Sequence, residues 1–108
     1  MLEVFFLIDD FGVTQNIKLI EKLKCELLMS VSELFCEMNE KHEIDDLVEI
    51  FARIIIFNYV LADKLGINNK VIDAKVIDKL KLNIIGEKNI LYSEFVRLLR
   101  HVEQNGGK

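Results

Sequence analysis

Acidic side chains stand at helical spacing on both sides of a short polar break in this sequence. Upstream of the break, Glu26, Glu33 and Glu37 fall on one face of a predicted helix. Downstream, three more acids open a second predicted helix: Asp45, Asp46 and Glu49. Carboxylate oxygens are the ligands that Mg²⁺ prefers, and an antiparallel turn would bring Glu33 and Glu49 near each other. The pattern is therefore compatible with a divalent-cation site, but the spacing alone favours the solvated border of an ordinary helix, where charged residues are the rule.

The first long helix is predicted from Lys18 to Lys41. Its apolar residues recur every three or four positions, which is the period of one helix face. They are Ile17, Ile20, Leu23, Leu27, Val31, Leu34 and Met38. Thr14 or Asn16 is the predicted N-cap, because short polar side chains satisfy the free N–H groups of a first turn.

The second long helix is predicted from Glu43 to Leu65, and Gly66 is placed to end it in a left-handed conformation. Its residues are apolar on nearly every side, which predicts burial on more than one face. Asn58 interrupts the apolar run, and we expect it to be buried with its amide satisfied, either within the bundle or across a dimer interface.

Two shorter helices complete a predicted all-α bundle of about four helices, in which the two long ones are antiparallel. The third runs from Asn68 or Asn69 to about Leu82, a loop covers 83–89, and Ser93 caps the fourth. The tail 104–108 is predicted to fray. Within the N-terminal apolar segment 1–13, residues 1–8 are predicted to form either a short strand or one helical turn, and a turn is predicted at Asp9–Gly12. The whole chain, 1–108, is predicted to be one domain.

Composition limits the partners of this chain. Hydrophobic residues make up 51% of 108 residues and mean hydropathy is +0.23, so we expect a homo-oligomer, a dimer or tetramer, that buries the excess apolar surface. A net charge of −4 argues against nucleic acid. No apolar run reaches the ~20 residues that span a bilayer, so no membrane partner is expected. Cys25 and Cys36 have neither disulfide nor zinc spacing, which favours buried or half-buried thiols in a reducing cytoplasm.

Two stretches carry a resemblance to a known family. They are S-E-L-F in the first long helix and D-D-L-V-E-I-F-A-R-I-I-I-F-N-Y-V-L-A-D-K-L-G-I after the break. Over residues 17–83 the chain resembles the MazG-related all-α nucleotide pyrophosphohydrolases, and most of all their short MazG-like members. The resemblance implies a helical bundle in which Mg²⁺ clamps a nucleoside triphosphate while water cleaves it to a monophosphate and pyrophosphate.

The family motif is E-E-x-x-E on the first long helix and E-x-x-D on the second. Glu33 matches the last Glu of the first motif, but Met29 and Ser30 stand at the preceding pair. In the second motif Arg53 stands at the Asp and Ile50 at the Glu, with Glu49 one position away.

The resemblance therefore implies Glu33 and Glu49 as the catalytic, metal-binding pair. The substitutes that would complete the metal shell are Glu26, Glu37 and Asp46. An arginine at position 53 supports a second hypothesis, in which Arg53 pairs with Glu33 or Glu49 in place of the metal and the chain is a non-catalytic oligomeric binding module.

Further along, Lys79 and Asn83 resemble the family's Lys and Asn near the phosphate end of the pocket. The resemblance implies phosphate binding by both. The alternative is that they are solvated residues near a helix end, where a lysine is favoured by the helix dipole.

Overall fold

A computed structural model of the protein describes residues 2–40, 43–85 and 91–106, and over these residues the chain forms four helices and no strand. The helices are α1 (Leu2–Asn39), α2 (Ile44–Lys64), α3 (Asn69–Ile85) and α4 (Tyr92–Gly106). This confirms the all-α prediction with two long and two shorter helices. The helices form two compact units, Met1–Gly66 and Ile67–Lys108.

The first helix begins much earlier than the sequence pattern predicts. α1 has 38 residues and begins at Leu2, so it is about 57 Å long. The predicted turn at Asp9–Gly12 is wrong, and Thr14 and Asn16 lie inside the helix, so neither is its N-cap. The reason is that the chain has no proline, and one glycine costs a helix only about 1 kcal/mol.

α1 and α2 pack antiparallel along matching apolar stripes. Asn16 Nδ2 donates to the Lys64 carbonyl oxygen at 3.4 Å, while Glu33 meets Arg53 farther along, so the two helices run in opposite directions. The buried residues of α1 are Leu23, Ser30 and Leu34. The covered residues of α2 include a row that recurs every three or four positions: Leu47, Ile50, Ile54, Phe57 and Leu61. This spacing is that of long helices packed side by side.

A second apolar stripe on α2 is left uncovered by α1. Its exposed fractions are 70% for Ile44, 58% for Val48, 51% for Phe51 and 57% for Ile55. Asn58 continues the same three-and-four spacing and is also exposed. The predictions that α2 is buried on more than one face and that Asn58 is buried are therefore wrong for the first unit by itself, because α1 covers one side of α2 only.

The end of α2 matches the predicted stop signal. Gly66 has φ +84°, the left-handed region that glycine adopts without strain. Its N–H donates to the Asp63 carbonyl at 3.0 Å, and the Leu65 N–H donates to the Leu61 and Ala62 carbonyls. The last free carbonyls of the helix are thereby satisfied, as in other glycine-terminated helices.

The second unit pairs α3 with α4. Asn68, one of the two asparagines at which the third helix is predicted to begin, caps α3: its side-chain oxygen accepts the Lys70 N–H at 2.8 Å. Ser93 does not cap α4: it lies inside the first turn, where its hydroxyl donates to the Glu94 carboxylate. Leu80 of α3 is buried. Lys81 Nζ and Glu103 Oε2 form an ion pair at 3.9 Å between the two helices.

The remaining boundaries also differ from the prediction. α3 continues through Ile85, so the first residues of the predicted 83–89 loop are helical, and 86–90 lie outside the described residues. α4 continues to Gly106, past the start of the predicted frayed tail. None of the described helices is both long and apolar enough to cross a membrane.

Candidate functional site

The centre of the candidate site is an ion pair between the two long helices. Arg53 Nη1 lies 2.7 Å from Glu33 Oε2, a distance typical of a strong charge-assisted hydrogen bond. The side chains of Arg53 and Glu33 are 34% and 48% exposed, so the pair lies at the edge of the α1–α2 interface rather than inside it. The arginine is thus paired with the carboxylate on the neighbouring helix, and not with Glu49 one turn before it on α2.

The positions that match the rest of the family motif are occupied by packing residues. Ser30 and Ile50 are each only 2% exposed, which makes them the most buried of the core residues in the described chain. Met29 points the other way and is 64% exposed. Where the motif calls for carboxylates facing a metal, this chain has a small hydroxyl on α1 and a branched aliphatic side chain on α2, both inside the helix pair.

The five predicted metal ligands are not gathered into one cluster. Glu26 and Glu37 are half-buried on α1, while Asp46 and Glu49 are exposed on α2. Over the residues that the structure describes, no group of three or more His, Cys, Asp or Glu side chains is close enough to hold a metal ion. In the same part of the chain, no buried side-chain nitrogen or oxygen lacks a hydrogen-bond partner, so no orphaned polar atom marks a ligand position. The donor set in this arrangement does not fit Mg²⁺, which needs several oxygen ligands in near-octahedral order.

The two predicted phosphate-binding residues belong to the second unit. Lys79 lines an open cavity of about 410 Å³ on α3, together with Lys75, Lys81 and Asp78. The side chain of Asn83 lies outside the described residues, although its backbone belongs to α3.

Sequence reasoning missed a basic cavity in the first unit. Lys18 and Lys22 on α1 and Lys64 at the end of α2 line a cavity of about 450 Å³. The two α1 lysines are one helical turn apart, which the sequence displays. The third lysine, Lys64, is distant in sequence. Predicting the cluster would have required knowing that α1 begins well before residue 16 and packs there against the end of α2.

Comparison with known proteins agrees with the helical architecture. The model of the MazG-like family matches residues 13–95, which is most of the chain and includes α2, α3 and the Glu33–Arg53 pair. No curated protein and no solved structure matches the chain significantly. The extent of the family match confirms the resemblance found in the sequence, and the chain belongs to the MazG-like family.

Proposed function

We propose that this chain is a non-catalytic member of the MazG-like family that works as a self-associating helical interaction module. The observation that carries the proposal is the 2.7 Å ion pair between Arg53 and Glu33. It occupies the place where the family motif holds a metal, and Ser30 and Ile50 fill the neighbouring motif positions as buried packing residues.

Electrostatics makes the ion pair and a metal ion alternatives to each other. A divalent cation bound to Glu33 would lie within a few ångströms of the Arg53 guanidinium. At ~4 Å and an effective dielectric of about 20, a +2 and a +1 charge repel by roughly 8 kcal/mol, before screening by solvent. Mg²⁺ would therefore have to displace Arg53 first, and the chain offers it no trio of carboxylates in return.

The exposed stripe of α2 supports self-association with a second copy of the chain. Ile44, Val48, Phe51 and Ile55 leave more than half of each side chain uncovered, and their spacing matches a helix–helix seam. In an antiparallel pairing centred on Phe51, Val48 of one copy would face Ile55 of the other, so the stripe is complementary to itself. Such an isologous contact is the commonest way for identical chains to close a dimer.

Asn58 lies where the apolar part of this stripe ends. It is the next position of the three-and-four repeat and is exposed within one chain. In the antiparallel alignment centred on Phe51, Asn58 of one copy would face Ile44 at the edge of the seam, where water can satisfy its amide.

The second candidate function is hydrolysis of nucleoside triphosphates to monophosphates and pyrophosphate. Family membership favours it, as do the acidic side chains that border α1 and α2. An assay of pyrophosphate release from the common NTPs and dNTPs, with Mg²⁺ and with Mn²⁺, separates the two candidates. We expect no release above the buffer level. Release that disappears in Glu33→Gln would establish the enzyme and reject the non-catalytic module.

We place this module in the reducing cytoplasm. Cys25 and Cys36 are both free and exposed, so the prediction that they are buried or half-buried is wrong. They still support that location, because exposed free thiols persist best where disulfides are kept reduced. Fractionation of cells that express the tagged full chain tests this assignment, and recovery in an oxidising compartment would contradict it.

A further inference from the structure

Three lysines and two side-chain amides surround one cavity in the first unit, well away from the Glu33–Arg53 pair. The cavity has a volume of about 450 Å³ and is broadly open to solvent. Its described lining includes Lys18, Lys22 and Lys64, with the amides of Gln15 and Asn16 beside them. This volume lies within the range of pockets that take small molecules.

The lysines meet because of the local helix geometry. Lys18 and Lys22 are four residues apart on α1, so their side chains leave the same face about one turn apart. The 3.4 Å hydrogen bond from Asn16 Nδ2 to the Lys64 carbonyl holds the end of α2 against this face. The arrangement is therefore fixed by two regular helices rather than by a loop.

The charge of the cavity is unusual for this chain. The protein carries a net charge of −4, yet none of the described lining residues is acidic. None of the three lysines forms an ion pair with another residue in the described part of the chain. Three positive charges thus line one cavity of about 450 Å³ and have no ion-pair partner among the described residues.

One feature of the fold opposes an anion at this place. The C-terminus of a helix carries about half a negative charge, and Lys64 is in the last turn of α2. The carbonyls of Leu61, Ala62 and Asp63, however, already accept hydrogen bonds from Leu65 and Gly66. Three full positive charges outweigh the half charge that remains.

We propose that this cavity binds a small polyphosphate, an anion with at least two phosphate groups, through Lys18, Lys22 and Lys64. A ligand with several negative charges matches three cations, and the two amides can donate to phosphate oxygens. Lys22 and Glu33 are separated along α1 by about 16 Å of helical rise. The site is thus separate from the motif positions, and the proposal of polyphosphate binding does not depend on the function proposed above.

Gly12 offers a test that leaves every lysine in place. It lines the cavity, lies inside α1, and a Cβ added there would meet no atom within 4 Å. Gly12→Asp puts a negative charge at the cavity, and Gly12→Ala is its uncharged match. Inorganic tripolyphosphate is titrated calorimetrically into the full chain at low ionic strength, and the site is mapped by amide chemical shifts.

We expect Gly12→Ala to bind like the unchanged protein and Gly12→Asp to bind about tenfold more weakly, since one opposing charge acts on a highly charged ligand at short range. Lys18→Gln with Lys22→Gln should weaken binding at least as much. Lys24→Gln should have little effect, because Lys24 already pairs with Glu21 at 3.0 Å. Raising the salt concentration should weaken binding in all variants that retain the three lysines.

Two results would overturn the site. One is equal affinity of Gly12→Asp and Gly12→Ala. The other is a set of shifted amides confined to α3, around Lys75, Lys79 and Lys81, instead of the residues near Lys18 and Lys64. Absence of any binding by a folded Gly12→Ala protein at low salt would also reject the proposal, because that variant keeps the whole cavity and gains helix propensity.

Discussion

At the scale of single residues, positions 29 and 30 are neighbours in sequence with opposite surroundings. Ser30 is 2% exposed and Met29 is 64% exposed. We expect Ser30→Glu to lower the free energy of unfolding by about 3 kcal/mol, because an unpaired carboxylate would be buried between α1 and α2. Met29→Glu should change it by no more than about 0.5 kcal/mol, as at most surface sites. Urea unfolding followed by circular dichroism measures both.

Equal changes in the free energy of unfolding for these two variants would mean that Ser30 does not face α2. That result would contradict the claim that position 30 is a packing position between the two helices. A large difference has a further consequence. A glutamate at position 30, as in the family's first acidic motif, would then conflict with the packing of α1 on α2. A single substitution at this position would therefore not restore a metal ligand.

The Glu33–Arg53 pair should be worth a modest amount of stability. Both side chains are about a third or more exposed, so solvent screens the attraction and a double-mutant cycle with Glu33→Ala and Arg53→Ala should give a coupling of about 0.5 to 1 kcal/mol. The exposed pair of Lys24 and Glu21, one turn apart on α1, is the matched control and should give less.

A coupling of zero in that cycle would show that the two side chains do not pair in solution. A coupling of several kcal/mol would contradict the partial exposure, because only buried pairs reach that size when one partner is removed.

At the scale of elements, replacing each of the two described glycines outside the tail by alanine should change the free energy of unfolding in opposite directions. Gly12 lies inside α1 without a positive φ, and Gly66 has φ +84° at the end of α2; an added Cβ meets nothing at either place. Gly12→Ala should raise the free energy of unfolding by about 0.5 to 1 kcal/mol. Gly66→Ala should lower it by about 1 kcal/mol, because alanine is strained in the left-handed region.

Thermal unfolding of the two alanine variants and of the unchanged chain tests whether Gly12→Ala stabilises the protein and Gly66→Ala destabilises it. Destabilisation by Gly12→Ala would mean that the chain turns at Asp9–Gly12, as the sequence pattern suggests, and that α1 does not begin at Leu2. Stabilisation by Gly66→Ala would mean that α2 continues beyond Leu65.

The elements were predictable from sequence where a local signal decides them. The end of α2 follows from Gly66, and the start of α3 from Asn68, because each makes its hydrogen bond within a few residues. The start of α1 was not predictable in this way. Asp9, Asp10 and Gly12 have the composition of a turn, but the chain has no proline there and the helix continues over these residues. Ser93 does not act as the predicted cap, and its hydroxyl donates instead to the carboxylate of the neighbouring Glu94.

At the scale of the whole molecule, the exposed α2 stripe predicts assembly. Phe51→Glu should dissociate the oligomer, because it places a charge at the centre of the proposed seam, where it meets its own copy. Leu28→Glu, at a 72% exposed position on α1, is the matched control and should stay assembled. Sedimentation velocity at micromolar concentration distinguishes these outcomes.

A monomeric unchanged chain would contradict self-association outright. Dissociation by Leu28→Glu but not by Phe51→Glu would move the interface from α2 to α1. Either result leaves the account of the Glu33–Arg53 pair intact, since that pair lies within one chain.

The candidate site was only partly readable from the sequence. The register of the motif identified Arg53, Ser30 and Ile50 as departures, and pairing of Arg53 with either Glu33 or Glu49 was an open choice. The sequence could not make that choice, because Glu49 is one turn away on the same helix while Glu33 is reached only through the packing of α1 on α2. The lysine cavity depends on the same packing, at the other end of the helix pair.

The central claim is that Arg53 stands where the family holds a metal, and calorimetric titration of Mn²⁺ into the purified full chain tests it most directly, with Glu33→Gln as the control. The account predicts no saturable binding up to millimolar Mn²⁺ in either protein, because the described residues provide no trio of carboxylates and Glu33 is held by a guanidinium. Saturable binding by the unchanged chain that is lost in Glu33→Gln would contradict it, and would show that the metal displaces Arg53.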